Sequence, residues 1–226
     1  MQGFPQSAMP KWVKTVVAVL LLPCCIGATK ALFLVLRNAG ERADTVCVPL
    51  AAGAACWLVI YLLLPKPMWM YVVGHELTHV IWTWAFGGRV KRFRASSHGG
   101  HVIVTKTNFF ITLAPYFFPL YVVLVVLVFV VGDSIWHWTA HLAWFHLLLG
   151  AAYAFHVTLT WHALQTRQTD IADQGYLFSG VIILLGNVGV LLVGLPALTA
   201  KVDLMTVLGW CLKGTVEAFT FLGGLT

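Results

Sequence analysis

Long apolar runs separated by short polar breaks dominate the chain, and their lengths match helices that cross a bilayer. Runs over 12–36, 46–64, 68–86, 108–131, 134–163 and 176–200 predict six transmembrane spans. Pro23 predicts a kink in the first, and Lys30 there is expected to snorkel or to face the bundle. Lys11 and Lys14 ahead of apolar residues, with small residues near Ala28, mimic a signal peptide, but apolar sequence continuing through Leu36 favours a retained span. A polar loop is expected over 37–45, Pro65-Lys66-Pro67 stops the second run, and Gly87-Gly88 ends the third. Pro115 and Pro119 predict a bend in the fourth span that turns backbone groups toward a cavity, and Gly132-Asp133 predicts a short turn before the fifth. Asn187 in the sixth span must find a hydrogen bond and is expected to tie helices together. The run 204–222 is long enough to be a seventh span, although Lys213 and Glu217 at i, i+4 also suit a paired, interfacial helix.

Between the third and fourth runs the period changes. Residues 90–95 and 101–107 alternate and are rich in β-branched side chains, with Ser96-Ser97-His98-Gly99-Gly100 between them, which predicts one small β-hairpin. Its basic residues Arg89, Lys91, Arg92, Arg94 and Lys106 can hold it at the headgroup level. Alternatively, a free edge of the hairpin can pair with an extended substrate. The fold class expected is therefore an all-α polytopic membrane protein, a single membrane domain over 1–226 with one hairpin.

Composition agrees with this pattern. Of 226 residues 60% are hydrophobic and only 10% charged, too few charges to solvate a globule of this size. The net charge of +6 does not point to nucleic acid, because the basic residues border apolar runs, as expected beside anionic lipid. The five cysteines lack any C-x-x-C spacing and read as small buried residues.

The candidate chemistry lies in the third run, where Gly74-His75-Glu76-Leu77-Thr78-His79 places H-E-x-x-H. Residues four apart on a helix lie about 40° apart around the axis, so His75 and His79 can direct ring nitrogens to one metal ion. Two neutral imidazoles suit Zn²⁺, and Glu76 beside them stands where a general base takes a proton from water. Ionisable groups inside a membrane span cost a few kcal/mol each, which favours a functional reading. A catalytic zinc site needs a third protein ligand, and Asp170 or Asp173, in the loop after the fifth span, returns to the same face as the end of the third. Asp170 is preferred, Asp173 is the alternative, and His156 and His162 are weaker candidates. His98 and His101 beside glycines, and the i, i+4 pair His137 and His141, read as polar turn or interface residues before they read as metal or haem ligands.

The H-E-x-x-H run within a span, the glycine-containing hairpin after it, Ile111-Thr112-Leu113-Ala114-Pro115 opening the next span and an Asp downstream together resemble the site-2 protease family of intramembrane zinc metalloproteases, over about 68–192. The resemblance implies zinc held by His75, His79 and Asp170, with Glu76 activating water against a transmembrane protein substrate. The sequence departs from the family's usual Asp-Gly segment, having Gln168-Thr169-Asp170 with a later Gly175. A non-catalytic membrane protein that binds a metal or a client helix is the competing expectation. With the amino terminus outside, eight basic residues (Arg37, Arg42, Arg89, Lys91, Arg92, Arg94, Lys106, Arg167) would face the cytoplasm against five (Lys11, Lys14, Lys66, Lys201, Lys213), which puts the metal nearer the cytoplasmic face.

Overall fold

A computed structural model describes residues 2–3, 9–39, 43–96 and 99–224. It is predominantly helical. In chain order the elements are β1 (Gln2–Gly3), α1 (Lys11–Ala39), a π-helical turn (Ala43–Cys47), α2 (Val48–Leu63), α3 (Met68–Ala85), β2 (Val90–Ser96), β3 (Gly99–Val104), α4 (Phe109–Leu113), α5 (Leu120–Trp136), α6 (Leu142–Leu164), α7 (Thr169–Gln174), α8 (Tyr176–Thr199) and α9 (Leu204–Gly223). Four stretches are long and apolar enough to cross a membrane, namely Lys11–Ala39, Asp44–Leu63, Trp138–Leu164 and Tyr176–Thr199. The pair Phe109–Tyr116 and Leu120–Trp136, bent by 78°, would make a fifth. The expected third run is α3, which stands outside that set because histidine, glutamate and threonines interrupt its apolar side chains.

The chain divides into two compact units, one of Met1–Ser7 with Asp44–Asp170 and the other of Ala8–Ala43 with Ile171–Thr226. The core expected over 68–192 therefore runs past a unit boundary, since α8 belongs to the second unit.

In the first unit, α2 and α6 meet backbone to backbone. A Cβ added at Gly53 would lie 1.8 Å from the Leu147 carbonyl oxygen, and one at Gly150 would lie 2.0 Å from that of Leu50. Small residues are what permit apolar helices to approach so closely. Trp57 Nε1 donates to Thr158 Oγ1 at 2.8 Å across the same pair, and His146 Nδ1 pairs with the Thr45 carbonyl at 2.9 Å. Below this contact Tyr71, Phe155 and Leu159 form a buried cluster with Trp57 and Met70 against it.

The hairpin is antiparallel, pairing Phe93 with Val102 and Arg94 with His101, with an irregularity between Val90 and Arg92. On its other edge β3 takes β1 in parallel, Gln2 opposite Ile103 and Gly3 opposite Val104. Val102 and Val104 pack with Val80 of α3, so the apolar alternation of β3 seats the sheet on that helix. Most of β2, with its arginines and lysine, is exposed. Ser97 and His98 of the turn lie outside the described residues, so the metal reading of His98 has no structural counterpart.

One expected boundary moves. The turn predicted at Gly132-Asp133 is instead helix: α5 continues to Trp136, and the break falls at His137, which adopts the left-handed conformation (φ 54°). Gly132 serves close packing, because a Cβ there would meet the Trp138 ring at 2.3 Å. The bend near Pro115 and Pro119 is present.

In the second unit, Ala31, Val35, Val188, Leu192 and Val207 bring α1, α8 and α9 to one core. A Cβ at Gly27 would lie 2.5 Å from the Cys211 carbonyl oxygen, so α1 and α9 also touch through glycine. That approach lets Lys30 reach Glu217 at 3.2 Å, and Glu217 thus pairs with α1 rather than with Lys213 of its own helix. Asn187 Nδ2 donates to the Ile183 carbonyl at 2.9 Å within α8. Lys14 Nζ donates to Gln174 Oε1 at 2.7 Å.

The α2–α6 contact yields a stability test. Gly150→Ala should lower the unfolding midpoint in detergent by the equivalent of about 1–3 kcal/mol, since the added methyl meets backbone that cannot rotate away. Gly189→Ala, where nothing lies within 4 Å of the added carbon, serves as the control and should hold or raise the midpoint.

Candidate metal centre

The helix α3 buries one face, comprising Tyr71, Gly74, Glu76, Thr78, His79, Val80 and Thr83. Its i, i+4 pair His75 and His79 is brought against Asp170 at the start of α7, with His75 Nε2 3.6 Å and His79 Nε2 3.3 Å from Asp170 Oδ2. The three donor atoms lie within 4.8 Å of one another, all inside the first unit. Asp173 is not in this group; it falls in the second unit, where its charge acts on Lys14.

The tautomer of His79 is fixed by the chain. Its Nδ1 donates to the Ile111 carbonyl at 2.8 Å, which leaves Nε2 as a bare lone pair facing Asp170. Ile111 is free to accept because the residue four positions on is Pro115, which has no N–H to close a helical hydrogen bond. Asn108 starts this short helix, its side chain accepting from Ile111 N at 2.8 Å, and so sets where the carbonyl points. A bent, proline-bearing segment thus becomes the support for a ligand.

The donor set fits a cation. A neutral imidazole lone pair and a carboxylate oxygen 3.3 Å apart repel unless positive charge lies between them. Two nitrogens and one carboxylate oxygen are a donor set that could hold a metal ion. The ion would be held by His75, His79 and Asp170.

Glu76 is not within the group but beside it, 7% exposed. A Cβ at Gly100 would sit 2.6 Å from Glu76 Cγ and 2.8 Å from its Oε1, so β3 covers the glutamate through a glycine. A cavity of about 300 Å³ is lined by His75, Glu76, Gly100, His162 and Gln168, so the glutamate and one histidine of the group border the same space.

Sequence reasoning missed several groups here. Tyr71, one helical turn before His75, lies with its ring tilted 49° to the imidazole at 5.8 Å, and the spacing was there to be read. Tyr116, wholly buried, packs edge-on to His75 at 5.2 Å with its hydroxyl beside Asp170; nothing in the local pattern marks it. The other candidates lie elsewhere: His101 on β3, His137 in the left-handed turn, and His141 on an apolar groove with Trp138 and Trp144. None of them joins a metal-binding group among the described residues.

No protein-family model, curated protein or solved structure matches this chain.

The Ile111 carbonyl gives the test of this construction. Pro115→Ala supplies an N–H that competes with His79 for Ile111, and zinc affinity should fall about tenfold, as for loss of other groups that orient ligands. Competition with a chromophoric chelator measures it, and an unchanged affinity would remove proline from the account.

Proposed function

We propose that this chain is a multi-pass integral membrane zinc metallopeptidase that hydrolyses peptide bonds in transmembrane protein substrates. The observation that carries the reading is the convergence of His75, His79 and Asp170 within 4.8 Å, with Glu76 adjacent to His75 in sequence and lining one cavity with it. A zinc ion at these residues would act as a Lewis acid toward the scissile carbonyl and would make a water acidic enough to ionise near neutral pH.

The chain's own groups do the rest. Glu76 accepts a proton from the attacking water and returns it to the amide nitrogen as the carbon–nitrogen bond breaks, so the water oxygen ends in the new carboxylate. Enclosure of the glutamate by Gly100 keeps it beside the reacting atoms. Gln168 and His162 give the cavity a polar wall, which a site in an apolar protein needs if water is to enter it.

Substrate binding follows from the sheet. β3 is the central strand, paired with β2 on one side and, at Ile103 and Val104, with Gln2–Gly3 on the other, so an extended backbone would add on the β1 side over Gly99 to Val102, which includes Gly100 beside Glu76. A substrate segment added along β3 would be read through main-chain hydrogen bonds, with its scissile bond delivered to the glutamate. Unwinding of the substrate is required, since a helix has no backbone groups to offer. The basic residues of β2 then lie at the lipid headgroups, and we place the metal nearer the cytoplasmic face.

Glu76→Gln should retain about one zinc per chain while cleavage of detergent-solubilised transmembrane peptides falls at least 10²-fold, roughly the contribution of a general base. His79→Ala should lose both zinc and cleavage. A wild type purified under metal-replete conditions that holds no zinc, or a Glu76→Gln variant that cleaves like wild type, would sink the reading.

A further inference from the structure

The two histidines of the metal group are not supported alike. His79 has the Ile111 carbonyl, whereas Nδ1 of His75 is buried without a hydrogen-bond partner among the described residues. A ligating imidazole normally donates its second N–H to an acceptor, which fixes its tautomer and its orientation. An unpartnered buried N–H also costs about 1–3 kcal/mol, so the asymmetry calls for an acceptor.

One is at hand. His156 of α6 is 7% exposed, and its Nε2 likewise has no partner among the described residues. Both rings line one cavity of about 20 Å³. That is room for a single water, which needs at least two polar partners to remain.

Two of the other polar side chains around the cavity are engaged: Thr78 Oγ1 donates to the Gly74 carbonyl at 2.8 Å, and Tyr121 Oη donates to the Met70 carbonyl at 2.5 Å. Pro115, Phe118 and Phe155 complete an apolar wall. His75 Nδ1, His156 Nε2 and the Tyr71 hydroxyl, all on residues that line this space, are the atoms without a hydrogen-bond partner among the described residues, and of these the imidazole Nε2 of His156 is the acceptor a ligating His75 needs.

We propose that His156 is a positioning residue for the metal centre: His75 Nδ1–H donates to a buried water, and that water donates to His156 Nε2. The relay gives His75 what the Ile111 carbonyl gives His79, holding its Nε2 toward Asp170. It assigns His156 the tautomer with its proton on Nδ1. The proposal rests on the metal centre argued above, not on the peptidase activity, and it makes α6 part of the ligand support.

The test is zinc affinity of the full-length protein in detergent, measured by chelator competition for wild type, His156→Leu and His156→Gln. Leucine removes the acceptor and should weaken zinc about 10–100-fold; glutamine, whose amide oxygen accepts a hydrogen bond, should bind within about threefold of wild type. Rescue by glutamine is what a purely space-filling role would not give, because leucine fills the site as well. Wild-type affinity in His156→Leu overturns the relay, and so does equal loss in both variants, which would mean that the imidazole does something an acceptor cannot. A wild type that binds no zinc overturns the metal centre and the relay with it, whereas zinc binding without peptide cleavage overturns only the proposed activity.

Discussion

Three electron-pair donors held together in an apolar interior are the constraint around which the first unit is organised. Nε2 of His75, Nε2 of His79 and a carboxylate oxygen of Asp170 converge within 4.8 Å, a group that could hold a cation. Keeping them in place requires that each ring be fixed from behind, and that in turn dictates backbone. Asn108 starts α4, Pro115 withholds an N–H, and the Ile111 carbonyl is left aimed at His79. A sequence that reads as a bent and imperfect membrane span is, at that point, a ligand support.

Glycine governs the rest of the placement. At Gly53 and Gly150 it allows α2 and α6 to touch through their backbones, which sets α6 and hence His156. At Gly74 it admits the Tyr121 ring, since a Cβ would lie 2.7 Å from Cε2, immediately before the first ligand. At Gly100 it lets β3 close on Glu76. Each contact works by the absence of a side chain, so the space is taken by backbone or ring atoms that have little freedom to shift, and the geometry of the site inherits that stiffness.

Much of this was legible from the residues, and the unreadable part has physical causes. The histidine pair and the glutamate beside it stood out because H-E-x-x-H is local: the helix period alone puts His75 and His79 on one face. The hairpin was readable from alternation, and β-branched residues marked β3 as the strand that packs. Asp170 required a fold, since an acid in a loop looks the same whether it caps a helix or holds a metal. The extent of α5 was misjudged because Gly132 can mean a turn or a close contact, and only the position of Trp138 decides between them. The count of spans turns at α3 on a related point, as a helix that carries a polar site dilutes the apolar signal that announces a span. Tyr116 was unreadable as a neighbour of the centre and His156 was read only as a weaker ligand candidate, because their relation to His75 exists only after α6 and the segment following α4 have packed against α3.

The helix α3 shows why these failures fall where they do. Its lipid-compatible residues are those of any span, but its buried face carries His75, Glu76, Thr78, His79 and Thr83. A polar group in an apolar interior must be matched by a partner, and Thr78 meets that need within its own helix through the Gly74 carbonyl. The histidines cannot do so, because their ring nitrogens project beyond the helix that carries them. Their partners therefore have to come from other elements: a carbonyl from α4, a carboxylate from α7, and an acceptor from α6. The chemistry of the ligands is local, but the satisfaction of their remaining hydrogen-bond capacity is not, and that second requirement ties the helices of the first unit to one another around α3.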